Sequence, residues 1–183
     1  MKSEVIDILF ESFYTNPASI EVVKQDKRKD KRFRLLLEYS YYISRTFGKV
    51  YLSEDGNSCV LIVDSDKKRV TAKLVWWYFR LAISVIGLFR AKKILKRLKI
   101  LNASRPNTSH VYVWYIGVRV IEQNKGLGSK LMERVLKENS DRVICLETTK
   151  EENFSFYEKL GFKRAGRIAG LDYPFTLYRM NED

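Results

Sequence analysis

A single histidine and two cysteines in 183 residues leave little from which to build a metal centre or a thiol nucleophile. Cys59 and Cys145 each stand alone inside an apolar, strand-like run, and nothing near them has metal-ligand spacing. Both read as reduced core residues, and no metal is expected. Long apolar runs are missing too. The longest, "LVWWYFRLAISVIGLF" at 74–89, is sixteen residues with Arg80 in its middle, short of the ~20 needed to cross a bilayer. It reads as a buried helix with a basic, amphipathic extension in which Ile94, Leu95, Leu98 and Leu101 recur at helical spacing. The opening residues "MKSEVIDILFESF" lack the apolar stretch and small-residue cleavage site of a signal peptide, so a cytoplasmic location is expected. Asn-x-Ser/Thr at Asn102, Asn107 and Asn153 is then not expected to carry glycans. No internal repeat, low-complexity segment or linker divides the chain, which leads to one domain over residues 1–183.

Positive charge, by contrast, is plentiful. The formal net charge is +12, and the basic residues concentrate in 24–34 and 89–101. A solvated surface accounts for such runs; so does attraction to a small anionic cofactor, a nucleic acid or a membrane surface.

Apolar periodicity then sets the element order. Helices are expected over 4–14, ended by Asn16-Pro17, and over 33–47, ended by Gly48. Two strands flank Glu54-Asp55-Gly56-Asn57, a hairpin signal. A long helix around 70–100 follows. "HVYVWYIGVRV" at 110–120 is the most strand-like segment and is expected at the sheet centre. Residues 127–139 are amphipathic, 142–148 read as a buried strand, "NFSFYEKLGF" as a short helix closed by Gly161, and 176–180 as a last strand.

Between that central strand and the amphipathic helix lies "EQNKGLGSKL". A glycine turn leading into a helix favours an anion, because the first helical amides lack partners and the helix dipole is positive there. Lys125 adds positive charge. Neither the dinucleotide Gly-x-Gly-x-x-Gly order nor the nucleotide-triphosphate loop is present. The spacing Gln123-x-x-Gly126-x-Gly128, entered from "YIGV", does resemble the pyrophosphate-binding motif of the GNAT superfamily of acyl-CoA-dependent N-acyltransferases. Downstream, "LETTKEENFSFYEKLGF" resembles the same family's second signature, with Asn153, Tyr157, Gly161 and Phe162 in its places.

The resemblance implies an α/β (α+β) fold, a single domain with a mixed, twisted sheet, helices on both faces, and two strands splayed apart to admit a pantetheine arm. It implies that acetyl-CoA is the co-substrate. The arm would pair with the backbone of Ile116, Gly117 and Val118; the pyrophosphate would sit on Gln123, Asn124, Lys125, Gly126, Leu127, Gly128 and Ser129; Asn153 and Phe156 would lie beside the arm. Tyr157 would protonate the leaving sulfur. Where family members place a Glu or His on the central strand, this chain has Tyr112 and Trp114, which leaves the proton acceptor unassigned. Glu147 on the next strand is the nearest carboxylate and a candidate catalytic residue for substrate contact or deprotonation, with a water chain as the alternative; Tyr112 and Trp114 are candidates to line the acceptor pocket. Trp76 and Trp77 read as core.

Two functions are thus expected in order. The first is an N-acetyltransferase that transfers acetyl to a small-molecule amine by direct attack in a ternary complex, as a monomer or homodimer. The second is an acyl-CoA-binding module whose basic helix engages nucleic acid, a membrane or a protein partner.

Overall fold

The computed structural model describes residues 1–182; the expected domain end at 183 lies outside the described residues. Three helices come first: α1 (Lys2–Phe13), α2 (Pro17–Val22) and α3 (Lys29–Phe47). The hairpin β1 (Gly48–Leu52) and β2 (Ser58–Asp64) follows, then α4 (Ala72–Leu81) and α5 (Leu88–Ser104). The second half runs β3 (His110–Val118), α6 (Leu127–Glu138), β4 (Val143–Thr148), α7 (Phe154–Lys159), β5 (Lys163–Ile168) and β6 (Phe175–Met180).

The strands form one six-stranded sheet in the order β1-β2-β3-β4-β6-β5. Only β3 and β4 run parallel; the other neighbours are antiparallel. A parallel pair needs a crossover, and α6 supplies it. β2 is buried along its whole length because its two faces serve different helices. Val60 and Ile62 join Leu131, Met132 and Val135 of α6 on one side. Cys59 and Leu61 join Val5, Ile8 and Leu9 of α1 and Leu37 of α3 on the other. The mixed sheet with helices on both faces is therefore as expected, with β3 and β4 at its centre. Both cysteines are free and buried, and burial pushes each thiol up to about 12.

Four details depart from the sequence reading. Pro17 starts a helix as well as ending one: Asn16 caps α2 by accepting from the Ala18 amide at 2.9 Å, and a proline at the first helical position loses no bond. β5 was hidden by its charge, for "KRAGRI" lies at the sheet edge with only its last residue buried, where basic side chains discourage further pairing. The long helix around 70–100 is two helices, parted by a π-helical turn at Ala82–Ile86 and by Gly87 at φ 83°. Finally, α4 is not a buried helix. Leu74, Trp77 and Leu81 face the core, while Trp76 and Phe79 are open to solvent.

Candidate active site

The central strand is interrupted where the sheet opens. β3 pairs with β4 through His110, Val111 and Tyr112 only. Against β2 its register slips between Leu61 and Ile62, which pair with Tyr115 and Val113 and leave Trp114 as an extra residue. A bulge of this kind bends the strand and increases its twist. Beyond it, Tyr115 to Val118 continue along β2 alone, and the edge of β3 toward β4 is unpaired there. The last residues of β3 are held from the other side by α1. The Ser12 hydroxyl lies 2.9 Å from the Val118 carbonyl, and a β-carbon on Gly117 would stand 3.1 Å from Leu9 and from the Ser12 oxygen.

After β3 the chain turns into α6. Gln123 donates its side-chain amide to the Val118 carbonyl at 3.2 Å, tying the turn to the strand it left. Asn124 (φ 64°) and Gly126 (φ 77°) are both left-handed, a backbone that turns successive amides toward one side. Gly126 is the residue before the helix and no side chain caps it. The first helical bond is Lys130 N–H to the Gly126 carbonyl at 3.0 Å; among the described residues the amides from Asn124 to Ser129 have no protein acceptor. Nothing stands within 4 Å of where a Gly126 β-carbon would lie, so the space before these amides is open. Lys125 pairs with Glu122 at 2.9 Å. These features fit a diphosphate: free donors, a positive helix end and room.

Gly128 joins three elements. A β-carbon there would lie 3.4 Å from Val118, 3.8 Å from Ile116 and 3.9 Å from the Phe156 ring. The start of α6, the unpaired end of β3 and the start of α7 thereby meet at one point. Asn153 closes a short 3-10 turn just before α7, partly buried. One residue past Phe156, Tyr157 turns into the core, its ring 5.6 Å from Tyr178 and 6.2 Å from Phe162 between centroids. Burial pushes its hydroxyl pKa well up, while Thr148, at the end of β4 and beside that hydroxyl, partly offsets it. The phenol is thus protonated at neutral pH.

On the opposite face of β3 and β4, Glu147 is committed. Its side chain is 2% exposed and accepts from Arg105 Nε at 2.8 Å and Nη2 at 3.4 Å. The Arg105 guanidinium also lies 3.5 Å from the centre of the Tyr112 ring. Burial first, and the neighbouring Glu147 second, raise the Tyr112 hydroxyl pKa well above its ordinary value. Trp114 packs edge-on to Tyr39 at 5.9 Å. Of the two other tryptophans read as core, Trp77 is buried, whereas Trp76 is half exposed. His110 stays local, its Nδ1 2.8 Å from the Thr108 carbonyl.

Sequence reasoning missed three residues. Arg105 lies just past the helical run expected around 70–100, Thr148 is the last residue of the strand expected at 142–148, and Ser12 is a polar position within the helix expected over 4–14. None has a local signal: Arg105 and Ser12 act on residues 42 and 106 positions away, and Thr148 meets Tyr157 only once the turn and α7 fold back on β4. Two cavities of about 230 and 220 Å³ lie elsewhere, one under β1 beside Glu138 and one among α1, α2 and α3 beside Tyr14 and Phe33.

A bulged central strand, a gap in the sheet beyond it and an uncapped helix start beside the gap define an α/β protein whose unpaired strand edge adjoins free helix-start amides. The chain belongs to the GNAT acetyltransferase family: residues 58–164, more than half of it, match the acetyltransferase (GNAT) domain. Acetyl transfer is accordingly its class of chemistry. No curated protein matches by sequence. Solved structures with the same fold include one described as histone acetyltransferase HPA2 and related acetyltransferase from Corynebacterium glutamicum ATCC 13032, 21% identical, TM-score 0.72, covering 97% of this chain and 89% of that one. An N-acetyltransferase from Staphylococcus aureus Mu50 is 15% identical, TM-score 0.62, covering 98% and 97%. The C-terminal condensation domain of Ebony, in complex with beta-alanyl-dopamine, is 11% identical, TM-score 0.64, covering 98% and 93%. At these identities the likeness is one of fold.

Proposed function

We propose that the chain is an N-acetyltransferase that passes the acetyl group of acetyl-CoA directly to the nitrogen of a small-molecule amine, both substrates being bound together. The observation that carries this reading is the row of free amides from Asn124 to Ser129 beside the stretch of β3 that lacks a β4 neighbour. The diphosphate of the co-substrate is held by those amides, with Lys125 close by. Its pantetheine arm takes the vacant strand position along Ile116, Gly117 and Val118. Because the Val118 carbonyl already accepts from Gln123 and faces Ser12, the part of Gln123 is to fix the turn against the strand. Leu127 and Gly128 bring the helix start onto β3, and Asn153 and Phe156 flank the arm from α7.

The thioester supplies an activated carbonyl, and the protein supplies position and protons. Tyr157, kept protonated by burial, gives its proton to the leaving sulfur, and Thr148 orients the hydroxyl. A positioned acid of this kind contributes about 10²–10⁴-fold. Tyr112 and Trp114 form the acceptor side. Glu147, with both oxygens on Arg105, acts there by holding Arg105 and Tyr112 in place, and the amine loses its proton to solvent. The buried cysteines, with thiols raised to about 12, take no part.

The direct test incubates purified protein with acetyl-CoA and a panel of small amines while free thiol is followed. Thiol release that depends on one amine class, with a matching acetylated product, supports the reading. Absence of coenzyme A binding, together with no release on any amine, overturns it.

A further inference from the structure

One segment carries a net charge equal to that of the whole chain. Residues 67–105 contain twelve of the 34 basic residues and none of the 22 acidic ones, so the remainder of the chain is balanced at 22 of each. Within that segment the cations divide into two groups. Arg97 donates to Glu21 at 2.8 Å and to the Ala18 carbonyl at 2.9 Å, Arg90 reaches the Val23 carbonyl at 3.1 Å, and Arg105 holds Glu147. These fasten α5 to the body of the protein. Arg69, Lys73, Arg80, Lys92 and Lys99 have no carboxylate partner among the described residues.

The same segment carries an apolar surface that the fold leaves uncovered. Leu74, Trp77 and Leu81 seat α4 on the core. On its opposite side Val75, Trp76, Phe79 and Ile83, spaced at three- and four-residue intervals, share a second apolar stripe in which Phe79 is 68% exposed. Phe89, just past the π-helical turn, is fully exposed. A helix apolar on both sides belongs inside a core or a membrane, and the second side of α4 lies outside the core, while no helix among the described residues is long and apolar enough to span a membrane. Lys73 borders the stripe over the Tyr42 ring at 4.7 Å, and Arg80 borders it over the Trp76 ring at 4.9 Å.

We propose that α4, the π-helical turn and the start of α5 lie on an anionic lipid bilayer, with Val75, Trp76, Phe79, Ile83 and Phe89 entering the interface and the free lysines and arginines meeting lipid phosphates. Charge complementarity selects an acidic surface. The apolar stripe selects lipid over nucleic acid: phosphates attract the cations and bases stack on aromatic rings, but neither rewards Val75 or Ile83. Aliphatic and aromatic side chains on one face, an indole at its border and cations around it form the pattern of a helix lying in the headgroup region. A protein interface of similar apolar content is poor in lysine at its core. This inference is independent of the acetyl-transfer reading, and its test needs no acetyl-CoA.

Intact protein is mixed with phosphatidylcholine vesicles with and without phosphatidylglycerol, and sedimentation and tryptophan emission are recorded. Binding only to the acidic vesicles is expected, with a blue shift that Trp76→Phe removes. The pair Phe79→Glu and Ile83→Glu, on exposed positions and checked for fold by circular dichroism, is expected to weaken binding by roughly ten-fold or more. Lys92→Glu with Lys99→Glu should do likewise through charge. Equal binding to neutral vesicles overturns the proposal, as does acidic-vesicle binding that is indifferent to Phe79→Glu and Ile83→Glu. Binding to duplex DNA or RNA without vesicle binding also overturns it. A solution dimer that dissociates on Phe79→Glu reassigns the face to a second copy of the chain.

Discussion

Gly117 of β3 and Leu9 of α1 are packed so closely that a β-carbon on the glycine would stand 3.1 Å from the leucine methyl, with Ser12 Oγ equally near. The close approach presses α1 against the stretch of β3 that borders the gap in the sheet. Gly117→Ala is expected to lower stability by about 1–3 kcal/mol through overpacking and to weaken coenzyme A binding by shifting that edge. Urea denaturation with calorimetric titration checks both, and an unchanged melting curve with unchanged affinity would show that α1 gives way freely.

Gly126 tests the turn without crowding it. At φ 77° with open space where its β-carbon would lie, alanine meets a conformational cost of about 1–2 kcal/mol and no clash. Gly126→Ala should therefore melt earlier. On the proposed placement of the diphosphate, coenzyme A should bind more weakly, and its 3′-dephospho analogue should lose the same factor. Equal affinity of wild type and variant would place the diphosphate elsewhere.

Tyr157→Phe removes a hydroxyl and keeps the ring against Tyr178 and Phe162. The turnover number should fall by about 10²-fold or more, with the KM for acetyl-CoA little changed. A rate equal to wild type would exclude Tyr157 as the acid.

Arg105 and Glu147 should fail singly and tolerate joint replacement. Removing Arg105 leaves a carboxylate that is 2% exposed without its cation, a loss of about 3–5 kcal/mol. Arg105→Met combined with Glu147→Leu should recover much of that stability, because both charges leave together. If the double variant also keeps full activity, the pair does not shape the acceptor side.

Glu138 gives the stability a defined acid limb. Lys49 first, then Tyr51 and Arg134, hold its carboxyl at about 2, against an ordinary value of 4.5. Between those values the unfolded chain binds the proton and the folded one does not. The contribution is complete above pH 4.5 and is lost as the pH falls through about 2. Thermal melts of wild type and Lys49→Met should differ at neutral pH and converge toward pH 2; a constant difference would contradict the linkage.

Much of this architecture was legible in the sequence because it rests on local patterns. Periodicity gave α1, α3, α6 and the strands that became β1 to β4 and β6. Asp55-Gly56 marked the hairpin. Gln123, Gly126 and Gly128 marked the helix start, since a left-handed turn and free amides depend on neighbouring residues alone. β5 escaped because an exposed edge strand carries no apolar alternation. The break in the helical run at 82–87 escaped because apolar residues continue through it.

By itself, then, the sequence determined most of the elements, the glycine turn and the uneven placement of charge, all properties of residues within a few positions of one another. Only the tertiary structure decided where β3 leaves β4, that Gly128 meets Phe156, that Arg105 spends its charge on Glu147, and that α4 shows a second apolar side to solvent. Those outcomes depend on segments far apart in the chain competing for the same surface. No window of sequence contains both competitors.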